Sequence, residues 1–188
     1  TLTLALLCNG NVLLEGLPGL GTGAERLAAN ITAMSGGRLA VKVYAAGELV
    51  PALECFGAVS NGTAQLGHDA SYYHAGKSEG APFFTTFPFG FTTAELDAWV
   101  KYGNGQKLWD ELYAPFGIRA FHAGSTGTQM LGWFRKEIRS LEDLKGLKMR
   151  APGHQGRVLQ KLGVTPVSLP GGEIFPALQS GAIDAAEW

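Results

Sequence analysis

The order of strand-like and helix-like segments is the feature of this sequence that most limits its fold. Residues 39–44 (LAVKVY) have the apolar, β-branched composition of a strand. Residues 50–61 predict a helix with Pro51 in its first turn, and residues 65–68 predict a second short strand. Strands that alternate with helices predict a parallel or mixed sheet with helices on its faces. We therefore expect an α/β fold.

A glycine-rich segment, residues 18–24 (PGLGTGA), precedes a predicted helix over residues 24–34. Leu27, Ile31 and Met34 fall on one face of that helix and are expected to be buried. The segment has some features of a dinucleotide-binding loop. However, its glycine spacing is incomplete, and no acidic residue ends a second strand about 20 positions later. From the residues alone, a tight turn is as open an interpretation as any binding role.

The stretch from residue 127 to residue 150 predicts strand, turn, short helix and strand. Residues 130–134 suit a half-buried strand. Ser140 is expected to begin the short helix, with Asp143 as the reach-back residue of a capping box, and Gly146 is expected to end it.

Arg150 is the basic residue that this pattern positions best for ligand binding. Residues 147–150 alternate between apolar and basic, the period of a strand with one buried face, so Arg150 is expected at a strand end. A guanidinium held on a rigid element can donate two parallel hydrogen bonds to a carboxylate. The pattern alone favours an ordinary surface arginine over such a clamp.

Several polar and aromatic residues follow the strand predicted at residues 65–68. His68, Asp69 and Ser71 are residue types used in hydrolysis, but neighbours in sequence rarely form a triad, and the sequence has no Gly-x-Ser-x-Gly elbow. Tyr72 and Tyr73 can each offer a phenol to a ligand oxygen, or can serve as core aromatics.

Gln129 follows the small-residue loop at residues 124–127. Its amide can both donate and accept, which suits a keto oxygen or an ion, or it can cap the backbone of the loop. Residues 92–114 predict a helix in two pieces. The residues expected to face the core are Leu96, Trp99 and Val100 in the first piece and Leu108, Leu112 and Trp109 in the second. The aromatic loop at residues 81–91 fits a dimer surface or packing at a cleft wall, and we favour packing.

Composition excludes several partners. A net charge of −1, from 15 basic and 16 acidic residues, lacks the basic footprint of a protein that binds nucleic acid or an anionic membrane surface.

Cys8 and Cys55 are too few for a disulfide framework or a zinc site, and two buried thiols are favoured over a single bridge. Residues 1–8 lack the leader and cleavage site of a signal peptide and predict a buried first strand.

Several blocks of the chain, in order, resemble one family: PGLGTGAERLAANITAMSGGRLAVKVYAAGELVPALE, GHDASYYHAGKS, FFTTFPFGF, GSTGTQMLGWFRKEI, RSLEDLKGLKMRAPG and GGEIFPALQSGAIDAAEW. The family is the periplasmic solute-binding subunit of tripartite ATP-independent periplasmic (TRAP) transporters, of the DctP-like type. The similarity covers roughly residues 18–188 and is greatest to the branch that binds α-keto acids, the TakP-like branch.

The resemblance implies a two-lobed α/β periplasmic binding protein with a ligand cleft between its lobes. Lobe one is expected over residues 1–122 and the start of lobe two over residues 123–188. The family continues well past the position of Trp188 and returns to lobe one. The resemblance therefore implies a chain truncated at its C-terminus, with lobe one incomplete and a further acidic ligand missing.

The resemblance also assigns roles to individual residues. Arg150 is expected to clamp a substrate carboxylate, with Tyr73 close to the ligand and the ring of Trp188 covering it. A cation, sodium in the resembled branch, is expected to be held by the side chains of Gln129 and Glu187 and the backbone carbonyl of Trp188, and to bridge the substrate oxygens. No catalytic cofactor is expected.

The implied function is capture of a small monocarboxylate, an α-keto acid such as pyruvate, for uptake by a TRAP transporter. The expected location is the periplasm, the partners are the membrane subunits of the transporter, a homodimer is compatible with the family, and catalysis is not expected. Two alternatives stay open: a small-molecule enzyme that uses the glycine-rich loop, and a binding protein for a dicarboxylate or another organic acid.

Overall fold

The computed structural model describes residues 2–6, 12–16, 21–86, 88–127 and 129–188. Six helices occur in these ranges: α1 (Gly21–Met34), α2 (Cys55–Ser60), α3 (Thr93–Tyr102), α4 (Gly105–Tyr113), α5 (Gly153–Lys161) and α6 (Gly171–Ser180). The strands described are β1 (Leu2–Leu6), β2 (Val12–Gly16), β3 (Val41–Ala45), β4 (Leu66–Asp69), β5 (Ala120–Gly124), β6 (Trp133–Phe134), β7 (Lys148–Arg150), β8 (Thr165–Val167) and β9 (Ala185–Ala186).

The strands form three small sheets. In the first, β1 lies between β4 and β5 and pairs antiparallel with both, and in the second β2 pairs parallel with β3. The third has the order β6-β9-β7-β8, with β7 parallel to β8 and β9, and β6 antiparallel to β9. The α/β fold and its mixed pairing agree with the alternation of segments in the sequence.

Separate apolar cores lie against the first and third sheets. The first contains Phe84 and Trp109, whose rings stack with centroids 4.9 Å apart, together with residues of α2, α4 and β5. The second surrounds Met149, the buried central residue of β7, and includes Leu159 of α5. These cores fix the strand ends from which the candidate site residues project. The predicted lobe boundary near residue 122 stays a prediction.

The predicted ends of local elements agree with the structure. Ser140 precedes a turn of 3-10 helix at Leu141–Leu144, and the Asp143 carboxylate accepts hydrogen bonds from the Ser140 backbone N–H at 2.9 Å and its hydroxyl at 3.0 Å. Gly146 follows with a φ of 76°, a left-handed conformation that favours glycine. Strand β7 then begins at Lys148, so Arg150 ends a strand as expected.

Some expected core positions and strand lengths are wrong. Met34 is 88% exposed because α1 packs only through Ala24, Leu27, Ala28 and Ile31, and Leu108 is 46% exposed because α4 turns Trp109 inward instead. The strand expected over residues 130–134 contains only Trp133 and Phe134.

Two further sequence predictions fall partly beyond what the structure describes. Cys55 is buried, whereas Cys8 lies outside the described residues. The start of the glycine-rich segment, residues 18–20, also lies outside them. Within the described ranges, none of the helices is both long and apolar enough to cross a membrane.

Candidate ligand-binding site

Arg150 lies at the centre of a buried polar cluster. Strand β7 places it between β8 and β9, where it is paired with Val167 and Ala186. The residue is 0% exposed. Such a buried arginine is retained only when hydrogen bonds replace its hydration. The interpretation of Arg150 as an ordinary surface arginine is therefore wrong.

Protein groups hold the Arg150 guanidinium on three sides. Its Nη1 donates to Glu187 Oε1 at 2.5 Å and to the Glu187 carbonyl at 2.9 Å. Its Nη2 donates to the Tyr73 hydroxyl at 2.6 Å, and its Nε donates to the Leu169 carbonyl at 3.2 Å. A guanidinium has five N–H groups. The bonds to the described residues use four of these N–H groups. A ligand carboxylate would therefore accept a hydrogen bond from the fifth N–H group, and it would compete with Tyr73 or Glu187 for a second N–H group.

Burial controls the ionisation of the groups around Arg150. It raises the pKa of the Glu187 carboxyl, and the adjacent guanidinium opposes that rise. Burial likewise raises the pKa of the Tyr73 phenol, again against the effect of Arg150, and raises that of Tyr72 further. Both phenols therefore carry their protons at neutral pH. Tyr73 accepts from Arg150 and still has a proton to donate to a ligand oxygen.

A cavity of about 540 Å³ opens beside this cluster. Its wall includes Tyr72 and Trp188, and the guanidinium carbon of Arg150 lies 5.1 Å from the centre of the Trp188 ring. Arg150 itself does not line the cavity. The rest of the wall is mostly apolar and comes from residues 85–86, 88–93, 125–127 and 129–131 and from helix α5.

Gln129 also lines this cavity. Its amide nitrogen donates to Thr126 Oγ1 at 3.2 Å, so the amide oxygen is the atom that it would offer to a ligand or ion. This bond joins Gln129 to a side chain of its own loop and not to the loop backbone, and its role toward a ligand stays a prediction. The structure brings Gln129, Trp188, Arg150, Glu187 and Tyr73 to one region, although only Gln129 and Trp188 line the cavity.

A second buried network lies under the turn that carries Tyr72 and Tyr73, and sequence analysis missed it. Asp69 Oδ2 lies 2.7 Å from His74 Nε2, and Asp69 Oδ1 accepts from the Ala70 backbone N–H at 2.7 Å. Asp69 therefore ties together both ends of the turn at Ser71–His74. No sequence signal identifies this pair beyond the two residues' proximity to a strand end.

The arrangement around Asp69 does not form a hydrolytic triad. His74, rather than His68, pairs with Asp69, and Ser71 Oγ accepts a hydrogen bond from the Tyr113 hydroxyl at 2.9 Å. Burial lowers the pKa of His68, which keeps that ring neutral. The polar residues after β4 support a turn and do not assemble a nucleophile with its base.

The candidate cation ligands have suitable chemistry for a hard ion. Gln129 offers an amide oxygen, Glu187 a carboxylate and Trp188 a backbone carbonyl, and all-oxygen ligation suits sodium or calcium. Glu187 is 3% exposed and is the carboxylate that Arg150 already contacts. Among the described residues, no group of three or more His, Cys, Asp and Glu side chains could hold a metal ion. The donor set therefore fits a hard cation bound jointly with an anionic ligand, and not a transition metal.

The profile of the bacterial extracellular solute-binding proteins, family 7 (DctP), matches residues 18–188. The chain belongs to this family. A relative, the monocarboxylate 2-oxoacid-binding periplasmic protein of Nostoc sp. strain PCC 7120, is 52% identical over 171 residues, which are 90% of this chain and 47% of the relative.

Two solved family 7 structures are also close in fold. A TRAP periplasmic solute-binding protein from Pseudoalteromonas atlantica, with bound sodium and pyruvate, is 45% identical with a TM-score of 0.91. A TRAP solute-binding protein from Bordetella bronchiseptica, a dimer of mixed occupancy with co-purified calcium and picolinate, is 39% identical with a TM-score of 0.91. In both comparisons 96% of this chain and 56% of the other are covered. The chain thus spans about half the length of these relatives, and the expected α/β periplasmic binding fold is confirmed.

Proposed function

We propose that this family 7 chain captures a small 2-oxo monocarboxylate, such as pyruvate, in the periplasm and delivers it to the membrane subunits of a TRAP transporter. The observation that carries the proposal is the fully buried Arg150, held between Tyr73 and Glu187 beside a cavity that Gln129 and Trp188 line. The relatives that bind pyruvate with sodium, or 2-oxoacids in general, support the same substrate class.

Arg150 would recognise the carboxylate of the ligand. Its fork is fixed by Glu187 and Leu169, so little side-chain entropy is lost when an anion binds. Tyr73 would donate its phenolic proton to a second ligand oxygen. The ring of Trp188 would cover the bound acid and exclude water from the pair of charges, which strengthens their attraction.

A cation is part of this proposal. Gln129, Glu187 and the Trp188 carbonyl would hold it, and a bound hard cation supplies positive charge that offsets the ligand carboxylate and the buried Glu187. The residues of the chain orient the ligand through the contacts already described. Sodium accompanies pyruvate in the Pseudoalteromonas protein and calcium accompanies picolinate in the Bordetella protein, so we take sodium as the first ion to test and calcium as the second.

Capture by a solute-binding protein requires that ligand contacts favour a closed state. Four contacts join the segment at residues 72–83 to the segment at residues 150–157, on opposite sides of the predicted boundary. Besides the Tyr73–Arg150 bond they are Tyr72 against Gly153, Glu79 with Arg157 at 3.0 Å, and Phe83 with His154, whose ring centres are 5.0 Å apart. These contacts would form when the two sides close on the ligand.

Thermal unfolding against a panel of acids tests the proposed substrate class. A ligand that binds only the native state raises stability by about 2.7 kcal/mol at 100 times its dissociation constant. Pyruvate and other 2-oxo monocarboxylates, measured with sodium, should raise the melting temperature, whereas succinate and neutral sugars should not. A selective shift with succinate would keep the transport role but overturn the monocarboxylate assignment. Conversion of an acid to a new product would favour the enzyme alternative.

A further inference from the structure

The ring of Trp188 lies directly against Gly171, the first residue of α6. A Cβ atom placed on Gly171 would lie 2.5 Å from Cη2, 2.8 Å from Cζ3 and 3.5 Å from Cζ2 of the indole. Carbon atoms at rest in a packed interior are about 3.5–4.0 Å apart. Any side chain at position 171 would therefore force the Trp188 ring to move.

Backbone conformation does not require glycine at this position. Gly171 is absent from the glycines of the described residues that have a positive φ, whereas Gly153, the first residue of α5, has a φ of 66°. Alanine would fit the backbone at position 171 and would favour the helix. Alanine at position 171 would therefore disturb the position of the Trp188 indole and not the backbone of α6.

Packed side chains lie on one side of the Trp188 ring and the cavity lies on another, so a displaced ring meets least resistance toward the cavity. On its buried side it packs with Tyr72 and Tyr73 around Ala70, and the Arg150 guanidinium carbon lies 5.1 Å from its centre. Its remaining side faces the cavity. A Cβ at position 171 would move the distal ring atoms by about 1 Å to restore normal carbon contacts, and this movement narrows the space beside Arg150.

Helix α5 meets the cavity wall in a comparable way. A Cβ on Gly153 would lie 3.0 Å from Cβ of Tyr72, the second aromatic side chain of the wall. Both helices that begin beside the site therefore start with a residue that has no side chain. Since φ at Gly153 is positive, alanine there would also strain the backbone, so position 171 gives the cleaner test.

We propose that Gly171 is a specificity-determining residue of the site. Because Gly171 has no side chain, the Trp188 indole can pack against it, and the position of the indole sets the width of the cavity next to Arg150. The proposal rests on the proposed function, because it concerns the same ligand. Gly171 acts on the ligand through Trp188 and touches no substrate itself.

The test compares the Gly171→Ala variant with wild type by titration calorimetry with pyruvate and with 2-oxopentanoate, in the presence of sodium. Pyruvate affinity should fall about tenfold or more, the scale on which one added methyl group disturbs a packed site, and 2-oxopentanoate affinity should fall further because it needs more width. The melting temperature without ligand should shift by no more than about 2–4 °C. Gly23→Ala in α1 is the matched control, since a Cβ there meets nothing within 4 Å.

Introducing Gly171→Ala into a Trp188→Phe variant shows whether the loss of affinity comes from the contact with the indole or from a general disturbance of the site. Phenylalanine lacks the distal indole atoms that crowd position 171, so Gly171→Ala should not weaken binding further in that background. Tryptophan emission of the ligand-free protein should change with Gly171→Ala in the wild-type background and not with Trp188→Phe present.

Three results would overturn the proposal: unchanged affinity and emission in Gly171→Ala, an equal loss of affinity in the Trp188→Phe background, or the same loss in Gly23→Ala. If wild type binds no 2-oxo acid, the proposed function fails, and the emission comparison alone then decides whether Gly171 positions the Trp188 indole. A change in tryptophan emission that occurs only when Trp188 is present supports this positioning, and unchanged emission overturns it.

Discussion

Removing one partner of the Arg150–Glu187 pair is expected to destabilise the protein by about 3–5 kcal/mol, the usual cost of leaving one buried charge without its partner. Arg150→Ala leaves the Glu187 carboxylate without its guanidinium, and Glu187→Ala leaves the guanidinium without its carboxylate. Both single variants should also lose 2-oxo acid binding, because each removes a group assigned to the ligand or to its cation.

The structure gives the scale of this effect. The side chains of Arg150 and Glu187 are 1% and 4% exposed, and the two charged atoms are 2.5 Å apart. At an effective dielectric constant of about 20, their attraction is about 7 kcal/mol. The desolvation of both groups offsets part of this attraction. Arg150 also loses its bonds to Tyr73 and Leu169 when truncated, so its replacement should be the more damaging of the two.

Urea unfolding of both single variants and of the double variant measures the coupling directly. The double variant should be more stable than the sum of the single losses implies, by about 0.5–3 kcal/mol. Arg157→Ala is the control, because the Arg157–Glu79 pair is exposed and should contribute less than about 1 kcal/mol. Additive losses, or a loss in Arg150→Ala no larger than in Arg157→Ala, would refute the argument that this pair is held by mutual charge compensation.

Three further outcomes are expected. Asp143→Asn should lower the melting temperature at pH 7, because hydrogen bonds hold the folded pKa of Asp143 below its ordinary 3.8, and the difference should disappear as the pH falls below 3.8 in a pH series. Asp69→Ala should cost about 1–3 kcal/mol in urea unfolding by leaving His74 buried without its partner, and should weaken ligand binding through the displaced turn. Trp109→Ala should cost about 3–5 kcal/mol as a core truncation, against less than about 1 kcal/mol for the half-exposed Trp133→Ala.

Local signals in the sequence were sufficient for several elements of the fold. The capping box at Ser140 and Asp143 and the left-handed glycine at Gly146 depend on residues three to six positions apart, so spacing alone predicts them. The placement of Arg150 at a strand end follows from the same local pattern.

Positions that depend on tertiary packing were not predictable in this way. Met34 continues the apolar face of α1, yet it lies past the surface that the helix packs against. Trp109 is central to the first core, but the helical period of α4 does not distinguish it from Leu108. The Asp69–His74 pair joins residues whose types are common at surfaces, and only the closure of their turn buries them.

The candidate site was predicted largely through the family resemblance. Arg150 and Tyr73 are 77 residues apart in sequence, and no periodicity relates them. The resemblance named both, together with Gln129, Glu187 and Trp188, and the structure gathers them. The resemblance did not predict that protein groups already accept hydrogen bonds from the Arg150 guanidinium. Only the hydrogen bonds in the structure reveal this.

Pyruvate affinity as a function of sodium concentration tests the central claim most directly. If Gln129, Glu187 and the Trp188 carbonyl hold a cation that bridges to the ligand, calorimetric titrations should show pyruvate affinity rising with sodium until the cation site saturates. By linkage, sodium affinity should rise by the same factor with pyruvate. Gln129→Ala should reduce this sodium dependence. A pyruvate affinity that is the same in sodium and in choline, at constant ionic strength, would contradict the account.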